Sequence, residues 1–234
     1  MTTPLGGYRA GMSGAHRLLP MFPLNAVVFP GVTVPLHIFE DRYRALVHHL
    51  LRVDPEERLF GSVAIREGYE VGDHGSQSLY RIGCRVQLTE VEANADGSFD
   101  VVAVGRDRIW LDHLDTTGTF PMGRIALRPE PPGDVPADIV DTARAVFTAY
   151  RVAVTELRSD PFAGALPRDP EYLSWTLAAC APLPMAERQR LLEAESAAAR
   201  LELVTALLRT ELQAMNVIPS LPATEVARTR WSPN

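Results

Sequence analysis

The hydrophobic period of this chain changes once, at Arg128-Pro-Glu-Pro-Pro-Gly-Asp-Val-Pro136, and the change calls for a two-part fold. Before this stretch, short apolar runs alternate with turn residues, as half-buried strands require. After it, apolar residues recur every three or four positions, as amphipathic helices require. Strands gathered first and helices gathered second read as an α+β fold. The expected organisation is a polar, Gly-rich lead-in over 1–17, a β domain over 18–130, an α-helical subdomain over 131–215 and a Pro-punctuated tail over 216–234.

The clearest strand signal is Arg85-Val-Gln-Leu-Thr-Glu-Val91 and Ser98-Phe-Asp-Val-Val-Ala-Val104, joined through Asn94-Ala-Asp-Gly97. Asp-Gly between alternating runs marks a hairpin, because glycine accepts the positive φ that a twisted connection needs. Further strands are expected at Leu18–Phe22, Val32–Leu36, Leu59–Ile65, Ile109–Leu114 and Gly123–Leu127. Pro20, Pro23, Pro30 and Pro35 cannot donate to a ladder, so they mark strand edges and tight connections, with Pro30-Gly31 as a turn.

One helix interrupts the strands. It starts near Glu40 or Asp41 and carries Tyr43, Leu46, Val47 and Leu50 on one face, so it is expected to lie against the sheet. His48 and His49 on it are ~100° apart and cannot jointly chelate one ion. Past Pro136, Ile139, Ala143, Val146, Phe147, Tyr150, Val154 and Leu157 trace a long helix. Asp169-Pro170 reads as the N-cap and first position of a second, burying Leu173, Leu177 and Cys180. A short third helix runs through Leu191 and Leu192, and Ser196 caps a fourth with Leu201, Val204, Leu208, Leu212 and Met215.

Composition narrows the function classes. Net charge is −6, and the sign is the same on both sides of the proline-rich stretch, with 13 Arg against 16 Asp and Glu up to Glu130. Nucleic-acid binders carry the opposite surplus, so no nucleic acid is expected as a partner. No apolar run approaches the ~18–20 residues of a membrane span, and Met1–Arg17 lacks the apolar core of a secretory signal. The expectation is a cytoplasmic protein without membrane contact, in which Cys84 and Cys180 are reduced thiols in a strand and a helix.

Every basic residue here except histidine is arginine; there is no lysine. A phosphate-cradling Gly-x-x-x-x-Gly-Lys-Ser/Thr loop and a serine–lysine dyad are therefore both excluded within this sequence. No Gly-x-Ser-x-Gly elbow, glycine-rich nucleotide fingerprint or metal-ligand spacing appears, so no cofactor and no metal is expected. Glu70-Val-Gly-Asp73-His74-Gly-Ser76 brings an acid, an imidazole and a hydroxyl together, but triads are assembled from distant segments and a polar loop is the simpler reading. Asp107 between Arg106 and Arg108 reads as a paired surface charge, and Trp110 as a strand residue packed on one face.

The segment Leu18-Leu-Pro-Met-Phe-Pro-Leu-Asn-Ala-Val-Val-Phe-Pro-Gly-Val-Thr-Val-Pro-Leu-His-Ile-Phe-Glu-Asp-Arg-Tyr43 resembles the start of the substrate-binding domain of Lon proteases. Phe60-Gly-Ser-Val, Glu70-Val-Gly, Ile82-Gly-Cys and Gly105-Arg-Asp-Arg-Ile-Trp110 follow in that domain's order. Asp169-Pro-Glu-Tyr-Leu-Ser-Trp, Leu183-Pro-Met-Ala-Glu-Arg-Gln-Arg-Leu-Leu-Glu and Ala199-Arg-Leu-Glu-Leu resemble the helices after it, so the likeness spans Leu18 to Leu212. It implies a PUA-like pseudobarrel of mixed strands followed by a small helical bundle. In Lon this domain precedes a coiled region, an ATPase and a peptidase, and the lysine-free sequence is expected to be a recognition module without either activity.

The function expected from this likeness is non-catalytic binding of polypeptide segments, or adaptor action in protein quality control. The junction of barrel and bundle offers a cleft, and an open strand edge offers main-chain hydrogen bonds. The candidate peptide-binding residues are Phe29, Pro30, Val32 and Pro35, with Ile38 and Phe39 nearby, a core position being preferred for the last two. The alternatives are a small-molecule-binding protein or enzyme using the same cleft, and a PUA-like nucleic-acid binder. Fold alone does not decide among them.

Overall fold

The computed structural model describes residues 16–66, 78–155 and 164–217. The strands are β1 (Arg17–Pro20), β2 (Thr33–Ile38), β3 (Leu59–Ser62), β4 (Ile82–Ala93), β5 (Phe99–Asp115) and β6 (Met122–Leu127). They form one sheet in the order β1-β6-β5-β4-β3, and β2 pairs with β5 off that path. β5 is the spine: β4 runs along one edge, while β2 takes Phe99–Val104 and β6 takes Ile109–Asp115. Every ladder is antiparallel, and the sheet does not close. Its outer strands are joined by isolated parallel bridges, Met21 to Gly61 and Leu24 to Ala64. The mixed character expected of a pseudobarrel is confined to those bridges.

Two expected strands, Ser98–Val104 and Ile109–Leu114, are one continuous strand. Gly105 looks like a break in the sequence, yet it marks a close backbone approach. A Cβ there would lie 2.1 Å from the carbonyl oxygen of Phe29. Gly31 donates its N–H to Gly105 O at 2.9 Å and Gly105 donates to Val32 O at 3.0 Å, which docks the Pro30-Gly31 turn on the spine. Gly31 has φ +72° and Val32 N–H donates back to Phe29 O, as a turn with glycine at its third position requires. Gly97 closes the β4–β5 hairpin at φ +82°.

Helix α1 (Asp41–Leu50) buries Tyr43, Leu46, Val47 and Leu50, the four residues its periodicity singles out. They pack with Ile38, Val86, Leu88, Val101 and Ala103 from one face of the sheet. Each such side chain contributes about 1.5–3 kcal/mol on removal from water. Arg42 bonds Glu40 at 2.7 Å and lies over Tyr43. His48 and His49 are exposed and lie against Phe99 and Phe120.

The later helices are α2 (Ala137–Thr155), α3 (Pro170–Cys180), α4 (Met185–Glu193) and α5 (Ala197–Val217). Asp169 caps α3 by accepting from Tyr172 N–H at 2.9 Å, and Ser196 Oγ accepts from Ala199 N–H at 3.2 Å at the start of α5. Leu157, counted in the α2 stripe, lies outside the described residues. Ala143, Phe147 and Tyr150 of α2, Leu173 and Leu177 of α3, Leu191 of α4 and Leu201, Val204 and Leu208 of α5 share one core. Val27, Phe29, Ala64 and Ile82 from the strand half belong to that same core. The helices thus hide their stripes against one another and against the sheet side. No helix among the described residues is long and apolar enough to cross a membrane.

Candidate functional site

A cleft of about 580 Å³ opens where the sheet meets α3. Its volume lies in the range usual for ligand sites. One wall is polar and comes from a β-bulge. Cys84 pairs with Arg108 and Val86 with Gly105, so Arg106 and Asp107 together oppose Arg85. An extra residue of this kind bends the strand and re-aims its side chains. Here it turns the charges of Arg85, Arg106 and Asp107 into the cleft. Arg85 Nε donates to Asp107 at 2.9 Å, and Arg106 Nε donates to Gln87 Oε1 at 2.9 Å, so both guanidiniums are held against the sheet. Asp107 is therefore paired, as expected, but to Arg85 across the strands and not to either of its neighbours.

The other wall is mainly aromatic. α3 presents Tyr172 and Trp175, three residues apart on one helix face, and the turn adds Pro30 and Gly31. Tyr172 is 62 % exposed at the rim, while Trp175 is 5 % exposed at the back. Glu171, Glu56 and Leu59 complete the lining.

Behind Trp175 lies a buried ionic network that joins sheet, linker and helices. Arg200, fully buried, sets its Cζ 3.1 Å from the Trp175 ring centroid and donates Nε to Ser174 Oγ at 2.9 Å. Its two terminal nitrogens both reach the Glu130 carboxylate, at 2.8–3.0 Å. Arg108 of β5 approaches the same carboxylate at 3.4 Å and donates to the carbonyls of Leu192 in the last turn of α4 and Ala194 just after it. Burial lowers the Arg200 pKa to about 10 against the opposing pull of Glu130, so the group stays charged at neutral pH. Arg108 is pushed down for the same reason.

Of the six residues singled out in the sequence, Pro30 lines the cleft. Val32 is half-buried beside it and Pro35 is exposed on β2. Phe29 is a correction: at 1 % exposure it is a core residue facing Trp175, with Arg188 lying over its ring, so it is no surface contact. Ile38 is core at 3 % exposure, whereas Phe39, expected inside, is 66 % exposed. The strand ends at Ile38, and the two-residue alternation leaves Phe39 outside it. The Glu70–Ser76 loop lies outside the described residues. Cys84 is a buried free thiol whose pKa burial pushes up to about 12, and Cys180 is half-buried in α3. Among the described residues no group of three His, Cys, Asp or Glu is placed to hold a metal ion.

The residues missed by sequence reading include Glu130, Arg200, Tyr172 and Trp175. Glu130 falls on the boundary expected between the two parts of the sequence, and Arg200 on the apolar stripe of α5, one residue before Leu201. A charge at a stripe position is the signal that marked Arg200.

Comparison with known proteins places this arrangement. Residues 18–210 match the family described as the ATP-dependent protease La (LON) substrate-binding domain. Lon protease 2 of Herpetosiphon aurantiacus is 26 % identical over 204 residues, which is 85 % of this chain and 24 % of that protein. Lon protease 2 of Syntrophobacter fumaroxidans is 24 % identical over 212 residues, 89 % of this chain and 26 % of the relative. The chain thus spans about a quarter of the length of these curated relatives. A Lon N-terminal domain protein from Xanthomonas campestris superposes with a TM-score of 0.61 at 22 % identity, covering 81 % of this chain and 98 % of that one. The N-terminal domain of Mycobacterium avium complex Lon protease gives 0.60 at 18 % identity, covering 82 % and 98 %. The fold, the ordered motifs and the matched span agree, and the chain belongs to the Lon substrate-binding domain family.

Proposed function

We propose that this chain binds segments of other polypeptides without cleaving them, and acts in the cytoplasm as a substrate receptor or adaptor in protein quality control. Family membership supports a substrate-binding role. The observation that carries it to a surface is the two-walled cleft, polar on the bulge side and aromatic on the α3 side. An extended polypeptide has the same two faces, main-chain groups and apolar side chains. The sequence holds no lysine, so neither a phosphate-gripping Walker loop nor a serine–lysine dyad can be built from it.

The test uses reduced, carboxymethylated lactalbumin, which cannot refold, and the native disulfide-bonded protein as its folded counterpart. The chain is expected to bind the unfolded form and not the folded one. Tyr172→Ala is expected to weaken the unfolded complex, since the ring is exposed at the rim and its loss leaves the fold intact. Equal binding of both forms, or none of either, sinks the proposal.

A further inference from the structure

Trp175 forms the back of the cleft, yet the groups that hold its ring lie outside the cleft. They come from three separate parts of the chain. Arg200 belongs to α5, Glu130 to the segment between β6 and α2, and Arg108 to β5. Ser174, the neighbour of Trp175, links them: it accepts from Arg200 Nε and donates to Glu171 O at 2.6 Å, one residue before Tyr172. A single wholly buried guanidinium therefore touches the back-wall ring and, through Ser174, the turn of α3 that carries Glu171 and Tyr172.

Stability alone does not require this network. A buried ion pair is frequently replaceable by apolar residues at no loss, because desolvation offsets the attraction. What an apolar replacement does not supply is direction. A planar guanidinium with Nε on Ser174 and both terminal nitrogens on Glu130 has no rotational freedom, so the ring stacked on it has one placement.

We infer that Arg200 is a positioning residue for the cleft: it holds Trp175 as a fixed apolar wall against which a side chain of the bound polypeptide packs. Glu130 in turn fixes Arg200 to the linker, so the wall stays aligned with the bulge of β4 and β5 that forms the opposite side. The inference rests on the polypeptide-binding reading for its ligand, but not for the placement of the ring.

The two parts are separable by experiment. In a Trp110→Phe, Trp231→Phe background, Trp175 is the one remaining indole of the three in the sequence. Acrylamide quenching then reports how accessible it is, and fluorescence anisotropy of labelled carboxymethylated lactalbumin reports affinity. Arg200→Lys and Arg200→Met are expected to raise quenching and to weaken the probe about tenfold, a larger loss than most residues in direct contact give, from a residue that does not line the cleft. Leu208→Ala, two turns further along α5 in the same core, controls for instability and is expected to lower the melting temperature while leaving quenching and affinity unchanged. If neither Arg200 variant folds, Glu130→Gln, which keeps the shape and removes the charge, is expected to raise quenching in the same direction. Unchanged quenching in the folded variants, or the same loss in Leu208→Ala, overturns the positioning role. Altered quenching with no probe binding even in the wild type overturns the polypeptide reading and leaves the positioning of Trp175 supported.

Discussion

Glu130 accepts hydrogen bonds from both terminal nitrogens of Arg200 while Arg108 approaches the same carboxylate from β5, so one buried anion serves two buried cations. The asymmetry predicts an order of effects. Removing Glu130 takes from two guanidiniums the one carboxylate that both approach, leaving only the more distant charge of Glu171, whereas removing Arg200 leaves Glu130 still opposite Arg108. Glu130→Ala is expected to cost about 3–5 kcal/mol of folding stability. Arg200→Met is expected to cost at least ~1 kcal/mol less, since its long apolar chain also refills the site. Urea unfolding of the two variants checks the order, and equal losses would show that Arg108 does not share the carboxylate.

The glycines predict a graded series. Gly105→Ala places a methyl 2.1 Å from the Phe29 carbonyl oxygen, and backbone on backbone cannot yield. Its cost is expected at the upper end of the ~1–3 kcal/mol typical of overpacking. Gly31→Ala is strained by its φ of +72° and presses on Tyr172 Cε1 at 3.3 Å, so about 1–2 kcal/mol is expected, together with a shifted cleft rim. Gly133, with nothing within 4 Å, is the control, and its alanine variant is expected to be neutral or slightly stabilising. Thermal melts of the three rank them.

Much of the fold was legible because it follows from periodicity and turn chemistry. The stripe Tyr43, Leu46, Val47, Leu50 and the cap Asp169-Pro170 are local patterns with one physical solution, and the structure adopts it. The errors come from long-range packing. Gly105 looked like the end of a strand because its reason, the Phe29 carbonyl, lies far away in sequence. Phe29 and Phe39 exchanged places for the same cause: each sits beside a turn, where local pattern does not say which side the core is on. The cleft was foreseen only as a place, the junction of the two halves. Its lining depends on a bulge that no short motif announces, and on Tyr172, which reads in sequence as one residue of a helix start.

Glu211 predicts a pH dependence. Its Oε2 is buried with no hydrogen-bond partner among the described residues, and burial raises its pKa above 4.5. The folded state therefore holds a proton that the unfolded state has lost, so stability falls as pH rises from about 4.5 through the folded pKa. Below that window the carboxyl is protonated in both states and the penalty vanishes. Glu211→Gln is expected to melt higher than the wild type at pH 7 and at the same temperature near pH 3.5. A gain that persists at low pH would assign the effect to packing and not to charge.

The charges around the cleft predict how its binding responds to salt. Arg85 and Arg106 face Glu56, Asp107 and Glu171 in the lining, and Arg108 and Arg200 face Glu130 behind it, four of each sign. A balanced site exerts no long-range pull on a ligand of either charge, so affinity rests on apolar contact and short hydrogen bonds, which salt screens little. Binding of carboxymethylated lactalbumin is expected to change by less than about twofold between 50 and 200 mM salt. A nucleic acid held through 6–10 phosphates would lose roughly 10³–10⁵ over that range. Titration of the same chain with the polypeptide and with single-stranded RNA at both salt concentrations decides the matter. A steep salt slope with RNA would put the PUA-like nucleic-acid alternative ahead of the polypeptide reading. A shallow slope with the polypeptide, and no RNA binding at the lower salt, would leave the aromatic wall of α3 as the source of affinity.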